Sequence, residues 1–162
     1  MPNDHLIGII SDTHSLVRPE VIAAFKGVDL IIHAGDIGGP KVLEALRLLS
    51  PVVAVRGNND KGEWAASLAD TEVVDVRGTL FYLLHNLKEL DLTPAAAGFK
   101  GVISGHSHRP LVEKKEGVLF VNPGSAGPRR FKLPVSVCFI RINDTGFTAE
   151  IKELSVSFHL PS

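Results

Sequence analysis

Histidine is scarce in this chain, seven in 162 residues, yet two stand one residue apart in Gly105-His106-Ser107-His108, directly after the apolar run 101–104. Neutral imidazoles at that spacing can share in binding divalent ions. The same placement recurs upstream. Ser11-Asp12-Thr13-His14 follows the apolar run 6–10, Gly35-Asp36 follows 29–33, Gly57-Asn58-Asn59-Asp60 follows 52–55, and His85 ends 80–84. Residues two apart in extended chain point the same way, so Asp12 and His14 can face one ion. The Asp36 carboxylate has two oxygens and can bridge two cations, and the Asn58 carbonyl oxygen is an acceptable ligand for a hard or borderline ion. Each fragment alone has a plainer reading: a turn aspartate beside a surface histidine, a Gly-Asp helix cap, a Gly-Asn turn, or a strand-end histidine bonded to backbone. Asn122-Pro123-Gly124-Ser125 reads as a rigid turn with no direct chemistry.

The elements that must position these groups follow from hydrophobic periodicity. Runs 6–10, 29–33 and 52–55 read as strands. Pro19 and Pro40, at first helical positions, open amphipathic helices ended by Gly27 and by Ser50-Pro51. This alternation is that of βαβ units around a sheet with parallel strands. Residues 73–76 and 80–84 read as a hairpin, Thr93-Pro94 as the cap of a short helix, and 101–104, 118–121, 135–142 and 147–154 as strands. Asn143-Asp144-Thr145-Gly146 is the turn between the last two. Helices gather early and strands late, which predicts an α/β fold of two packed mixed β-sheets flanked by helices. Every candidate ligand falls at the carboxyl end of a strand, the edge of an open α/β sheet where ligands bind.

Composition narrows the class. A 44 % hydrophobic, 22 % charged chain of this length is expected to form one domain, residues 1–162, with a genuine core. The 18 acidic and 17 basic residues nearly cancel, and Lys114-Lys115 and Arg129-Arg130 are too few to make a track for long nucleic acid. Cys138, alone in an apolar stretch, excludes an intrachain disulfide and suits a reducing cytoplasm. No signal-peptide core and no run of 18 apolar residues occurs, so neither targeting nor membrane insertion is expected. His33 is expected to be a hydrogen-bonded buried histidine; His5 and His159, near the termini, are expected to be solvated.

In order, D-x-H, G-D, G-N-x-D, a strand-end His, G-H-x-H and N-P-G-S resemble the motifs of the calcineurin-like metallophosphoesterase superfamily, within it the compact prokaryotic phosphodiesterases. The resemblance runs from Ile9 to about Arg130 and includes VDLIIHAGDIGG and VVAVRGNND. It implies a sandwich of two mixed sheets with helices outside (α/β/β/α). It also implies two divalent ions, Asp12, His14, Asp36 and His108 holding one and Asp36, Asn58, His85 and His106 the other. Asp60 matches a carboxylate that orients a neighbour and binds no metal. Asp36, Asn58, Asn59 and His85 form the implied catalytic set. Two departures stand out. Many relatives have His where this chain has Asn59, and an amide cannot serve as an acid toward the leaving group. Relatives usually have Gly where this chain has Asn86.

The implied activity is hydrolysis of a phosphate diester by a hydroxide shared between the two ions, with no protein nucleophile. Manganese is the ion the family suggests, while a nitrogen and oxygen donor set without thiolate also suits Fe²⁺, Zn²⁺, Ni²⁺ or Co²⁺. The expected partner is a small phosphate ester, and a homodimer is plausible by analogy with small relatives. Alternatives are a phosphomonoesterase or nucleotide pyrophosphatase on the same centre, or a non-catalytic interaction scaffold of the same fold.

Overall fold

The first strand shows how the sequence builds two cores at once. In a computed structural model that describes residues 4–129 and 132–156, β1 (His5–Ile10) sends Ile7 and Ile9 into one core and Leu6 and Ile10 into another, as a period of two requires. Gly8 faces the second core because Phe25 lies against it; a Cβ there would stand 2.8 Å from the ring's Cε1. Phe25 is fully buried, which removes it from water for about 2–3 kcal/mol of stabilisation.

Two helices cover that face. α1 (Pro19–Ala24) and α2 (Pro40–Arg47) each begin with the expected proline, whose missing N–H costs nothing in a first turn. Val21 of α1 and Val42, Leu43 and Leu46 of α2 form the stripes that pack on the sheet.

The first sheet has the order β10-β9-β1-β2-β3, where β2 is Leu30–His33, β3 Val52–Ala54, β9 Ser136–Asn143 and β10 Gly146–Glu153. β1, β2 and β3 run parallel, with Ile10 opposite His33 and His33 opposite Ala54. β9 is antiparallel to β1, and β10 to β9. The second sheet has the order β4-β5-β6-β8-β7, with β4 at Thr71–Val76, β5 at Thr79–Leu84, β6 at Gly101–Ile103, β7 at Leu111–Lys115 and β8 at Val118–Asn122. Here β5, β6 and β8 are parallel, and β4 and β7 are antiparallel edges. Between the sheets lie Ile7, Ile9, Ile32 and Ile140 from one side and Phe81, Leu83, Ile103 and Val121 from the other. The two packed mixed sheets are those the sequence predicts.

Three local details differ from expectation. Residues 93–99 form successive turns in place of a helix, with Ala97 donating to Thr93 O, Gly98 to Ala95 O and Phe99 to Pro94 O. Leu90 and Leu92 just before these turns and Phe99 at their end cover the outer face of the second sheet, so among the described residues α-helix flanks the first sheet alone. Gly98, at φ +88°, cannot continue a helix. β7 has no counterpart in the sequence reading, because all five of its residues are exposed and an edge strand without a buried face carries no alternation. Its one signal is Glu116-Gly117, both at positive φ, a hairpin turn into β8. Finally, His5 is half-buried within β1 instead of solvated. His159 and Arg130 lie outside the described residues.

Candidate metal centre

Parallel strands present their following loops at one edge, and here the two sheets present theirs together. Asp12 and His14 follow β1, Asp36 follows β2, Asn58 to Asp60 follow β3, His85 follows β5, and His106 and His108 follow β6. Backbone bonds join the first two loops, from Asp12 N to Gly35 O (2.9 Å), His14 N to Asp36 O (3.0 Å) and Ser15 N to Ile37 O (2.8 Å). Within the second sheet Gly105 N donates to His85 O, and across the sheets His106 N donates to Asp12 Oδ2 at 3.0 Å.

The backbone of these loops is strained. Asp12, His14, Asp36, His106 and His108 all lie at positive φ, between 45° and 71°. Non-glycine residues there cost about 1–3 kcal/mol each in the most sparsely populated conformations, and such residues gather at functional sites. The extended geometry expected for Asp12 to His14 is therefore not the one observed. The two side chains converge because the loop is left-handed at both. Glycines let the loops close up. A Cβ on Gly105 would come within 2.8 Å of Asp12 Oδ2, and one on Gly35 within 2.6 Å of His85 Nδ1.

The ligand atoms fall into two groups, Asp12, His14 and His108 in one, Asp36, His85 and His106 in the other, each with its atoms within 4.8 Å of one another. His108 Nε2 lies 3.4 Å from Asp12 Oδ1, and His85 Nε2 lies 3.4 Å from Asp36 Oδ2. The groups adjoin, since His14 Nε2 is 3.8 Å from Asp36 Oδ2 and His85 Nε2 is 3.9 Å from Asp12 Oδ1. Asn58 joins the second group, its Oδ1 3.2 Å from His106 Nδ1. Asp12 Oδ1 and His14 Nε2 are buried without a hydrogen-bond partner among the described residues. Buried polar atoms are otherwise almost always satisfied, so these donors fit a cation.

Protonation follows the surroundings. Burial alone would raise the pKa of Asp36, but the His85 ring and the Asn59 backbone and side-chain amides hold it well below the usual carboxylate range. Burial likewise opposes ionisation of Asp12, yet His108 and the Ser11 hydroxyl lower its pKa. His85 is raised: burial opposes its charge, and Asp36 and the Ala34 carbonyl outweigh burial. Because a carbonyl only accepts, His85 Nδ1 donates to Ala34 O at 2.7 Å, and Nε2 is the atom aimed at Asp36.

The frame behind the ligands is densely bonded. Buried Asp60 accepts from Ile37 N (3.1 Å) and Gly57 N (2.9 Å) at Oδ2 and from Gly38 N (3.0 Å) at Oδ1, tying the loop after β2 to the loop after β3. His33 is fully buried and hydrogen-bonded, as expected. Its Nδ1 accepts from Gly35 N and its Nε2 meets Thr13 Oγ1, which donates to Ile37 O. Asn122 donates to Gly105 O (2.9 Å) and Ser107 Oγ, and Ser125 Oγ donates to Asp12 O. N-P-G-S is thus a brace for G-H-x-H, a role its turn chemistry conceals.

The two departures resolve in geometry. Asn59 donates to Asp36 from its backbone N (2.9 Å) and from Nδ2 (3.0 Å), so its amide orients the shared carboxylate. Asn86 has φ −112°, where no glycine is needed, and its Oδ1 caps the 3₁₀ turn Leu87–Glu89. Arg129 donates to Leu133 O. Cys138 is fully buried, and burial pushes its thiol up to about 12, which fits a packing role.

Two cavities border the centre. One, of about 600 Å³, is polar and reaches Asn58 and His85, with Arg56, Lys61 and Glu89 in its wall. The other, of about 930 Å³, is mainly apolar and reaches His106. Asn86 lines both.

Paired mixed sheets with His, Asp and Asn side chains clustered at their shared edge define a metal-dependent phosphoesterase class. The chain matches the calcineurin-like phosphoesterase superfamily domain over residues 6–145 and belongs to that family. It is 34 % identical over 158 residues to a probable metallophosphoesterase of Methanothermobacter thermautotrophicus, covering 90 % of this chain and 91 % of the relative. It is 28 % identical over 137 residues to a phosphodiesterase of Methanocaldococcus jannaschii, covering 73 % and 82 % respectively. Among solved structures, Vps29 of Entamoeba histolytica complexed with Zn²⁺ superposes with a TM-score of 0.70 at 22 % identity, covering 91 % of this chain and 98 % of that one. At that identity the likeness is one of fold.

Proposed function

We propose that this protein is a dinuclear-metal phosphodiesterase acting on a small phosphate diester. The observation that carries the reading is the pair of adjoining ligand groups, each within 4.8 Å, with Asp36 Oδ2 facing a histidine of both. Asp12, His14, Asp36 and His108 would hold one ion, and Asp36, Asn58, His85 and His106 the other. When bound, two divalent ions supply Lewis acidity toward phosphoryl oxygen and a water of lowered pKa. The chain's own residues do the rest. The His85 Nδ1–H bond to Ala34 O fixes its tautomer and leaves Nε2 for the ion. Asn59 orients the Asp36 carboxylate through two N–H bonds, and Asp60 fixes the loops that carry both.

Diester preference is supported by the cleft. A diester carries two organic groups on phosphorus, and two cavities that meet at Asn86 border the second ligand group, one reaching Asn58 and His85 and the other His106. The donor set suits manganese, and metal analysis followed by assay in Mn²⁺ of a bis-aryl diester beside the matching monoester tests the reading. Hydrolysis of the diester with two ions per chain is expected. A metal-free chain inert in added Mn²⁺ would instead favour a scaffold, and faster monoester turnover a phosphomonoesterase.

A further inference from the structure

The apolar cavity of about 930 Å³ is lined by the residues after His85, by Arg109, Pro110 and Leu111 at the start of β7, and by the end of β8. Leu87, Leu111 and Phe120 supply its apolar surface, and Lys88 and Arg109 line it as well. Leu87 and Leu111 remain 36 % and 42 % exposed, so their apolar surface is open to an occupant of the cavity. One member of the wall is His106, whose ring also belongs to the second ligand group. The cavity is therefore continuous with the place where a phosphoryl group would sit, and it differs in character from its polar counterpart beyond Asn86.

The geometry points to this cavity as the subsite for an aromatic or other apolar substituent of an anionic phosphodiester. The inference rests on the phosphodiesterase reading above. The polar cavity would then receive the second, hydrophilic substituent, so the enzyme distinguishes the two ends of an asymmetric diester. Leu87 and Leu111 set the preference by removing apolar surface from water, and Lys88 and Arg109 favour a substrate that bears no positive charge.

The test uses the metal-loaded full chain and two non-hydrolysable monoanions that mimic a diester, dimethylphosphinate and methyl(2-naphthyl)phosphinate, titrated by calorimetry. The naphthyl compound is expected to bind about 10-fold or more tightly than the methyl one, the discrimination an apolar pocket gives. Leu87→Asn and Leu111→Asn, polar changes at partly exposed positions, should each reduce that ratio toward one while leaving dimethylphosphinate affinity unchanged. An unchanged methyl affinity also shows that the variants are folded. Equal affinities in the parent, or a naphthyl preference that both variants retain, overturns the subsite. A chain that binds neither phosphinate and turns over no diester overturns the phosphodiesterase reading itself.

Discussion

Replacing Asp60 by Asn removes one carboxylate oxygen and its charge while keeping the shape. In the parent protein three backbone N–H groups, from Ile37, Gly38 and Gly57, converge on that carboxylate at 2.9–3.1 Å. The best placement of the amide keeps its oxygen at the Oδ2 position, facing Ile37 and Gly57, and turns the NH₂ group against the Gly38 N–H. Two charge-assisted bonds then become neutral ones, about half as strong, and the N–H of exposed Gly38 exchanges its carboxylate partner for water. Bonds to charged groups contribute about 1.5–3 kcal/mol each, so halving two of them and replacing the third by water costs about 2–4 kcal/mol. With a urea dependence of about 2 kcal/mol per molar, the unfolding midpoint falls by about 1–2 M. Metal affinity should fall as well, by about 10–100-fold, because Asp36 loses its fixed loop. A midpoint shift below about 0.5 M with an unchanged slope would refute this account of Asp60.

Other outcomes follow from the same geometry. His108→Ala should lower bound metal and abolish turnover, and an active, fully loaded variant would show the ligand assignment to be wrong. With Asn59 in place of an acid, rates across substituted aryl diesters should rise steeply as the leaving group becomes more acidic, provided chemistry limits the rate; a flat dependence would count against it. Burial holds the His33 imidazole down at about 4 against its ordinary 6.5. The unfolded chain therefore takes up a proton first as pH falls, and stability is lost between those two values, by about 3 kcal/mol in all. His85, raised in the folded state, acts above that window, and Asp12 and Asp36, lowered, act below it. Denaturation of the chelator-treated protein from pH 7 to 4 should show the loss, and His33→Gln should flatten it; parallel curves would remove His33 as the cause.

The chemistry-bearing residues were legible in the sequence because each sits where an apolar run ends, and a run's end is a local signal. Runs 6–10, 29–33 and 52–55 mark β1, β2 and β3 to within about two residues, and the histidines behind β5 and β6 follow in the same way. The sequence also placed His33 and Cys138 in the interior, since their neighbours are branched and apolar. β7 and the turns at 93–99 were not legible. The first buries nothing, and the second takes its shape from the sheet it covers.

Residue types and their order along the chain thus determined which groups could bind metal and at which edge of the fold. The family resemblance supplied the grouping of the histidines about Asp12 and Asp36, and tertiary structure alone decided the contacts behind them: that Asp60 spends its charge on three N–H groups, two of them from the loop after β2, and that Asn59 serves Asp36. The reason is physical. Strand ends follow from short-range periodicity, but the partners of a buried charge come from segments tens of residues away, and only packing the two sheets together brings them within hydrogen-bond reach.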